Sequence, residues 1–185
     1  IFFVRHGQTE WNAIKRVQGQ WNSDLSETGE KQAKKNGEFL QDQGIECLFS
    51  SPLDRTRQTS KILKKYISLE PIYDSRIMEW DTGHWSGFMW EEITKNWPLE
   101  YEAWKRDPFN FNELGCESYP DMIERANPFV KEKKIRNKLL NMDIAVTYVY
   151  KLIPREVGEN QAAVKGGSRL YKLVNKLTKE QTNKK

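Results

Sequence analysis

The stretch Ile1-Phe2-Phe3-Val4-Arg5-His6-Gly7-Gln8-Thr9-Glu10-Trp11-Asn12 decides how the rest of the chain is read. Ile1 to Val4 have the composition of a strand buried on both faces. The apolar run then stops at a cation, an imidazole and a glycine. Packing gives no reason to present a charged pair at a strand tip. In open parallel sheets, ligands bind just outside the carboxyl ends of the strands. His6 is therefore the candidate chemical centre, with the remaining elements as its support.

The same unit repeats downstream. Ile45 to Phe49 form a second strand candidate, which ends in Ser50-Ser51-Pro52-Leu53-Asp54-Arg55-Thr56-Arg57-Gln58-Thr59, where Ser51-Pro52 starts a turn and a helix follows. Between the two units, Ser26 is a good N-cap and Glu27 suits the positive end of a helix. These residues predict a helix from about Glu27 to Gln43, ended by Gly44. Ala33, Gly37 and Leu40 lie on its buried side with Phe39 beside them. In the next helix Ile62 and Leu63 face the sheet, and Lys61, Lys64 and Lys65 face water. Glu70 to Tyr73 give a short third strand. Such alternation implies parallel pairing, so the expected fold is a three-layer α/β/α domain with a mostly parallel central sheet.

Residues 88–106 read as helical, interrupted at Pro98. Their aromatics, Trp90, Trp97, Tyr101 and Trp104, suit a packed helical insertion over about residues 88–120 that roofs the site. A loop from Asp107 to Tyr119 leads to a helix from about Asp121 to Asn141, kinked or split at Pro128. Asp143 to Tyr150 form a late strand. Leu170, Leu173, Val174 and Leu177 give one more amphipathic helix before a basic, polar end. All 185 residues are read as a single domain.

Composition narrows the function classes. Seven Trp, seven Tyr and eight Phe argue for a globular protein rather than a disordered one. A net charge of +4, spread along the chain, is a mild bias toward anionic ligands and no nucleic-acid signature. The longest nearly apolar run, Ile144 to Tyr150, is too short to span a bilayer, and no signal peptide is visible. Two cysteines, Cys47 and Cys116, fit reduced thiols in a cytoplasmic protein. The chain starts inside a strand without Met, which fits a processed or incomplete start. The sequence carries no signal for an oligomeric state.

Arg5 and His6, then Arg55, then Glu79 each sit just beyond a strand's carboxyl end, so this fold can gather them in one crevice. Two guanidinium forks suit a bound phosphate. A neutral histidine beside it can act as nucleophile, and a carboxyl group can protonate a leaving oxygen. The second histidine, His84, does not make a metal site with His6: such sites want three or more ligands, and neither cysteine is near. His84 is expected on the rim, and neither metal nor cofactor is expected.

These residues resemble those of the histidine phosphatase superfamily, in its phosphoglycerate mutase-like branch. Arg5 to Asn12 match its Arg-His-Gly signature. Leu25-Ser26-Glu27-Thr28-Gly29 resembles the opening of its first helix, and Ser50 to Thr59 the segment with its second phosphate-binding arginine. Glu79, with Gly83, Trp85 and Gly87 behind it, resembles the acid segment. Gly115-Cys116-Glu117-Ser118 resembles a Gly-Gly-Glu-Ser loop with one Gly replaced. The likeness spans about residues 1 to 130. It implies that His6 accepts the phosphoryl group while Arg5 and Arg55 hold it. It implies that Glu79 protonates the leaving alkoxide and later deprotonates water. Gly7, Thr9, Asn12, Gln18 and Gly19 match positions on the substrate side. The implied activity is hydrolysis of a small phosphorylated substrate, with a mutase as the nearest rival. Specificity is expected in the insertion and in the loop near Glu117.

One departure from the family stands out. Members carry a second histidine, in a His-Gly pair after a late strand. Here Asp143-Ile144-Ala145-Val146-Thr147 is followed by Tyr148 and Val149. Tyr148 can donate a hydrogen bond to phosphate but carries no positive charge at neutral pH. The chain diverges from the family generally after about residue 140. Three explanations remain open at this level: a shifted reading frame, a phosphate-binding relic without turnover, or a slow enzyme with Tyr148 standing in.

Overall fold

Alternating side chains put a parallel sheet at the centre of the structure, a computed structural model that describes residues 2–140 and 144–148, with side chains for residues 2–132. Strands β1 (Phe2–Arg5), β2 (Cys47–Ser50), β3 (Pro71–Tyr73) and β4 (Ile144–Tyr148) lie in the order β1-β4-β2-β3, and every pairing is parallel. The helices are α1 (Glu10–Ala13), α2 (Glu27–Leu40), α3 (Asp54–Ile67), α4 (Trp90–Asn96), α5 (Pro98–Arg106) and α6 (Tyr119–Leu140). Side chains two apart along a strand share a face. Phe2 and Val4 of β1 join Leu48 of β2, packing on Leu40 of α2 and Leu63 of α3. Phe3, Cys47 and Phe49 face the other way, onto Ile77 and onto Phe129 of α6. Two helices, a sheet and a third helix therefore make the three expected layers.

The register places the chemistry. Arg5 pairs with Tyr148, and Ser50 pairs with both Thr147 and Tyr73. The strands end nearly level, so the residues that follow them, His6, Ser51 and Asp74, leave from one edge of the sheet.

Most boundaries follow the expected signals, and the exceptions have physical causes. Ser26 caps α2, its Oγ accepting from Gly29 N at 3.2 Å. The helix itself ends at Leu40 rather than Gln43, with a turn (Gln43 N to Leu40 O, 3.1 Å) before Gly44 at φ +63°. Phe39 is 60% exposed instead of lying with Ala33, Gly37 and Leu40. One residue is about 100° of helical rotation, enough to swing its ring out to the sheet edge, edge-on to Phe2 at 6.2 Å. The α6 helix runs through Pro128 without splitting. Proline removes one intrahelical hydrogen bond, and the next residue, Phe129, is held edge-on to Phe49 at 5.5 Å. Pro98 divides α4 from α5 by occupying the first turn of the latter.

The aromatics of residues 85–111 pack on one another. Trp85, fully buried, stacks on Phe111 at 5.0 Å and meets Trp90 and Trp104 edge-on. Trp90 stacks on Trp104 at 5.3 Å. Among the described residues, no helix is long and apolar enough to cross a membrane. The expected helix over Leu170 to Leu177 and the basic end lie outside the described residues, and Tyr148 is described by its backbone position alone.

Candidate active site

His6 follows β1 and is 7% exposed. Its Nδ1 lies 2.5 Å from the carbonyl oxygen of Gly7. A carbonyl only accepts, so Nδ1 carries the proton. Burial and, next, the positive charge of Arg55 pull the imidazole down to about 3; Arg5 adds to this and the Gly7 hydrogen bond opposes it. The ring is thus neutral across the physiological range, with the proton on Nδ1 and the nucleophilic lone pair on Nε2.

The loop carrying His6 is fixed by backbone contact. Gly7 N donates to Thr59 Oγ1 at 3.2 Å, and that hydroxyl donates to Arg55 O at 2.8 Å. The loop carrying His6 and the helix bearing Arg55 are therefore tied through one side chain. On the other side, a methyl group at Gly7 would overlap the carbonyl of Gly29, and one at Gly29 would overlap that of Gln8. Glycine at both positions lets the first turn of α2 press against the loop. Ser26 N donates to Gln8 O at 2.9 Å and completes the seam.

Arg55 is 1% exposed, at the start of α3. Its guanidinium donates to Gly19 O at 2.6 Å and to Trp21 O at 2.9 Å, while its Nε is buried without a partner among the described residues. Burial lowers it to about 10, opposed by the negative charges of Glu79 and Asp54. Arg55 thus feels Glu79 electrostatically, and His6 feels Arg55. Arg5, by contrast, is exposed at the strand end.

Thr9, Asn12 and Gln18 form one network. Thr9 caps α1, its Oγ1 accepting from Asn12 N at 3.0 Å, and Asn12 Oδ1 accepts from Thr9 N at 3.2 Å. Gln18 Nε2 lies 2.7 Å from Thr9 Oγ1, and among the described residues Gln18 Oε1 is buried without a partner. In that orientation the Thr9 hydroxyl hydrogen has no acceptor among the described residues. With the amide turned over, Thr9 donates to Gln18 Oε1, and the free group becomes an NH2 suited to an anion. Gly19 follows at φ +51°, where a methyl group would overlap Thr82 Oγ1.

Glu79 is 7% exposed and lies in irregular chain after a 3-10 turn, Ser75–Ile77. Its Oε1 accepts from Trp80 N at 2.9 Å, and its carbonyl accepts from Gln20 Nε2 at 3.1 Å. A second 3-10 turn, Gly83–Trp85, follows, with His84 exposed on it. Among the described residues, no group of three or more His, Cys, Asp or Glu could hold a metal ion. Across from this turn runs residues 113–118: Thr82 and Cys116 form an antiparallel bridge, and Cys116 Sγ donates to Thr82 O at 3.2 Å. Cys116 is 6% exposed, and burial pushes its thiol up to about 12. Glu117, expected near the substrate, has both carboxylate oxygens engaged by Arg125, at 2.7 and 2.8 Å.

The structure thus brings Arg5, His6, Gly7 and Arg55 together, sets Glu79 in the field of Arg55, and links Thr9, Asn12 and Gln18. Tyr148 is placed by its backbone register beside Arg5. Thr59, Gly29, Gln20 and Arg125 were missed from sequence. Thr59 had a signal, being one helical turn beyond Arg55; so did Gly29, a glycine spent in a first helical turn. Arg125 had none.

Comparison with known proteins shows the family. A family model described as histidine phosphatase superfamily (branch 1) matches residues 1–147. The chain is 35% identical over 146 residues to phosphoserine phosphatase 1 of Hydrogenobacter thermophilus, covering 79% of this chain and 68% of that protein. It is 35% identical over 131 residues to a probable phosphoglycerate mutase, GpmB, of Salmonella paratyphi A, covering 69% of this chain and 59% of that one. The chain thus spans about three fifths of the length of that mutase relative. Among solved structures, a mycobacterial glucosyl-3-phosphoglycerate phosphatase in complex with VO3 superimposes with a TM-score of 0.70 at 29% identity, over 79% of this chain and 73% of that one.

Proposed function

We propose that this chain, which belongs to the histidine phosphatase superfamily, hydrolyses small phosphomonoesters through a phosphohistidine on His6. The observation that carries the proposal is the state of His6: neutral, protonated on Nδ1, and held in the charge field of two arginines. Nε2 attacks phosphorus as the P–O bond to the leaving group breaks. Arg5 and Arg55 stabilise the charge on the equatorial oxygens, the unpartnered Nε of Arg55 and the amide of Gln18 adding donors. Thr9, Asn12, Gly7 and Gly19 shape that cradle. Glu79 gives its proton to the leaving oxygen. A water then attacks phosphorus, returns a proton to Glu79 and breaks the P–N bond, which frees phosphate and restores His6. The helical insertion over about residues 88–120 roofs the site; it joins the substrate loop where Val17 N donates to Phe88 O and Gly87 N to Val17 O, both at 2.9 Å. Two free cysteines fit a cytoplasmic setting.

Turnover is slow in this proposal, because the 185 residues hold no second histidine beyond the exposed His84. Losing one preorganised donor to a transition-state charge costs about 10²- to 10³-fold in rate. Rapid alkaline quench after mixing with a labelled aryl phosphate tests both points. Label on the protein that disappears in His6→Asn supports the phosphohistidine. Binding of inorganic phosphate with no label marks a non-catalytic relic. Tyr148→His alone is expected to raise turnover less than about 10-fold, since Val149 still stands where the family has Gly; a gain approaching the whole of the donor's worth would show that the histidine is the only missing part.

A further inference from the structure

Glu79 sits in chain with no regular hydrogen bonding, yet a general acid must be held within hydrogen-bond reach of one oxygen. Arg125, on α6, faces that chain. Its Nη1 donates to the carbonyls of Arg76 at 3.0 Å and Met78 at 3.2 Å, with Ser75 O at 3.4 Å, and Nη2 reaches Glu79 O at 3.5 Å. The other edge of the fork, Nε and Nη2, grips the Glu117 carboxylate at 2.8 and 2.7 Å. Glu117 in turn ties down the chain just past the acid. Its carbonyl accepts from Trp80 Nε1, its amide donates to Asp81 O at 2.9 Å, and Asp81 N reaches its Oε2 at 3.4 Å. The pair therefore grasps residues 75–79 with one partner and residues 80–81 with the other. The side chains are only 24% and 16% exposed, where a bidentate pair keeps its geometry. Being paired, the cation grips the acid's backbone without leaving a full unbalanced charge beside it.

We propose that the Arg125–Glu117 ion pair positions Glu79, holding the acid segment so that its carboxyl group meets the leaving oxygen. The inference rests on Glu79 being the proton donor, and neither residue of the pair touches substrate.

Leaving-group dependence separates positioning from mere structural support. kcat/KM reports steps up to departure of the leaving group, so it is blind to the later hydrolysis of the phosphoenzyme. p-Nitrophenolate leaves without help, whereas an alkoxide such as that of glycerol phosphate needs the proton. Glu79→Gln is expected to lose about 10²-fold on glycerol phosphate and far less on p-nitrophenyl phosphate. Arg125→Met should repeat that preference at about 10-fold against 2-fold, with inhibition by inorganic phosphate unchanged because the His6 half is intact. Arg125→Lys should resemble Met, since an ammonium cannot span the carbonyls and the carboxylate together. If Arg125→Met loses phosphate inhibition as well, Glu117→Gln decides: selective loss on glycerol phosphate supports the clamp, and equal or no loss overturns it. Equal losses on both substrates in Arg125→Met with phosphate inhibition retained also overturn it. If Glu79→Gln itself shows no preference between the substrates, the acid assignment falls and the clamp's role falls with it.

Discussion

The two halves of the site are built by opposite means. Around His6, backbone rests on backbone: Gly7 against Gly29, Gly29 against Gln8, and the strand end beneath them. Around Glu79, irregular chain hangs mainly on side chains, with Gln20 and Arg125 on its carbonyls, while the Glu117 backbone holds Trp80 and Asp81. The His6 half has little freedom to shift, because Gly7 and Gly29 leave no space between the peptide units they bring together. The Glu79 half can give, because the ties nearest Glu79 come from the rotatable side chains of Gln20 and Arg125. The first arrangement suits the in-line nucleophile proposed for His6, and the second suits the acid proposed for Glu79, which would serve leaving groups of differing shape.

Gly7→Ala should break the comparison most severely. A methyl group there overlaps the Gly29 carbonyl, and with backbone on both sides the cost is expected to exceed about 4 kcal/mol, seen in urea unfolding, with turnover lost in whatever still folds. Mild destabilisation would mean that this half relaxes like the other.

Acid titration comes next in size. The His6 imidazole is depressed in the folded state, from 6.5 to about 3, so between those pH values the unfolded chain binds the extra proton. Stability should therefore fall as pH drops from 6.5 to 3, by about 4 kcal/mol at pH 3. His6→Asn should show a correspondingly flatter dependence in urea unfolding followed against pH, and parallel curves for the two proteins would refute the burial of a neutral imidazole.

Arg55→Lys should cost about 10²-fold in kcat/KM toward p-nitrophenyl phosphate. Lysine keeps the charge but cannot donate to Gly19 O and Trp21 O while facing phosphate. The gentlest test falls on the Glu79 half. Cys116 replaces a glycine of the family loop but sits at φ −68°, which any residue adopts. Cys116→Gly should change turnover by less than about 2-fold and stability by about 1 kcal/mol.

What the sequence disclosed follows the same division. Val4 running into Arg5-His6-Gly7, Ser26 before Glu27, and Pro98 opening a helix are local signals, each set by neighbours within one turn or strand. They sufficed for the three layers and for the strand tips bearing His6 and Arg55. Sequence extends α2 too far because Gln41 to Gln43 are helix-compatible residues that form a turn instead. Apolar character alone puts Phe39 with the buried side of α2, since it carries no angle about the helix axis. The clamp escaped notice because Glu117, Arg125 and Met78 meet only through tertiary folding, and carbonyl acceptors leave no trace in the identity of Ser75, Arg76 or Met78. The cradle formed by Gln18, Thr9 and Asn12 was legible as a set of positions through family likeness, while its hydrogen-bond logic needed coordinates.

Cys116 gives the acid half a clock. Its sulfur lies buried under the Thr82 carbonyl, and its thiol ionises only near 12, so the closed protein offers an alkylating reagent almost no thiolate there. Modification of that sulfur must await separation of residues 82 and 116. With the partly exposed Cys47 replaced by serine, the rate of single-site alkylation would count those separations, reporting how often the chain beyond Glu79 comes undone.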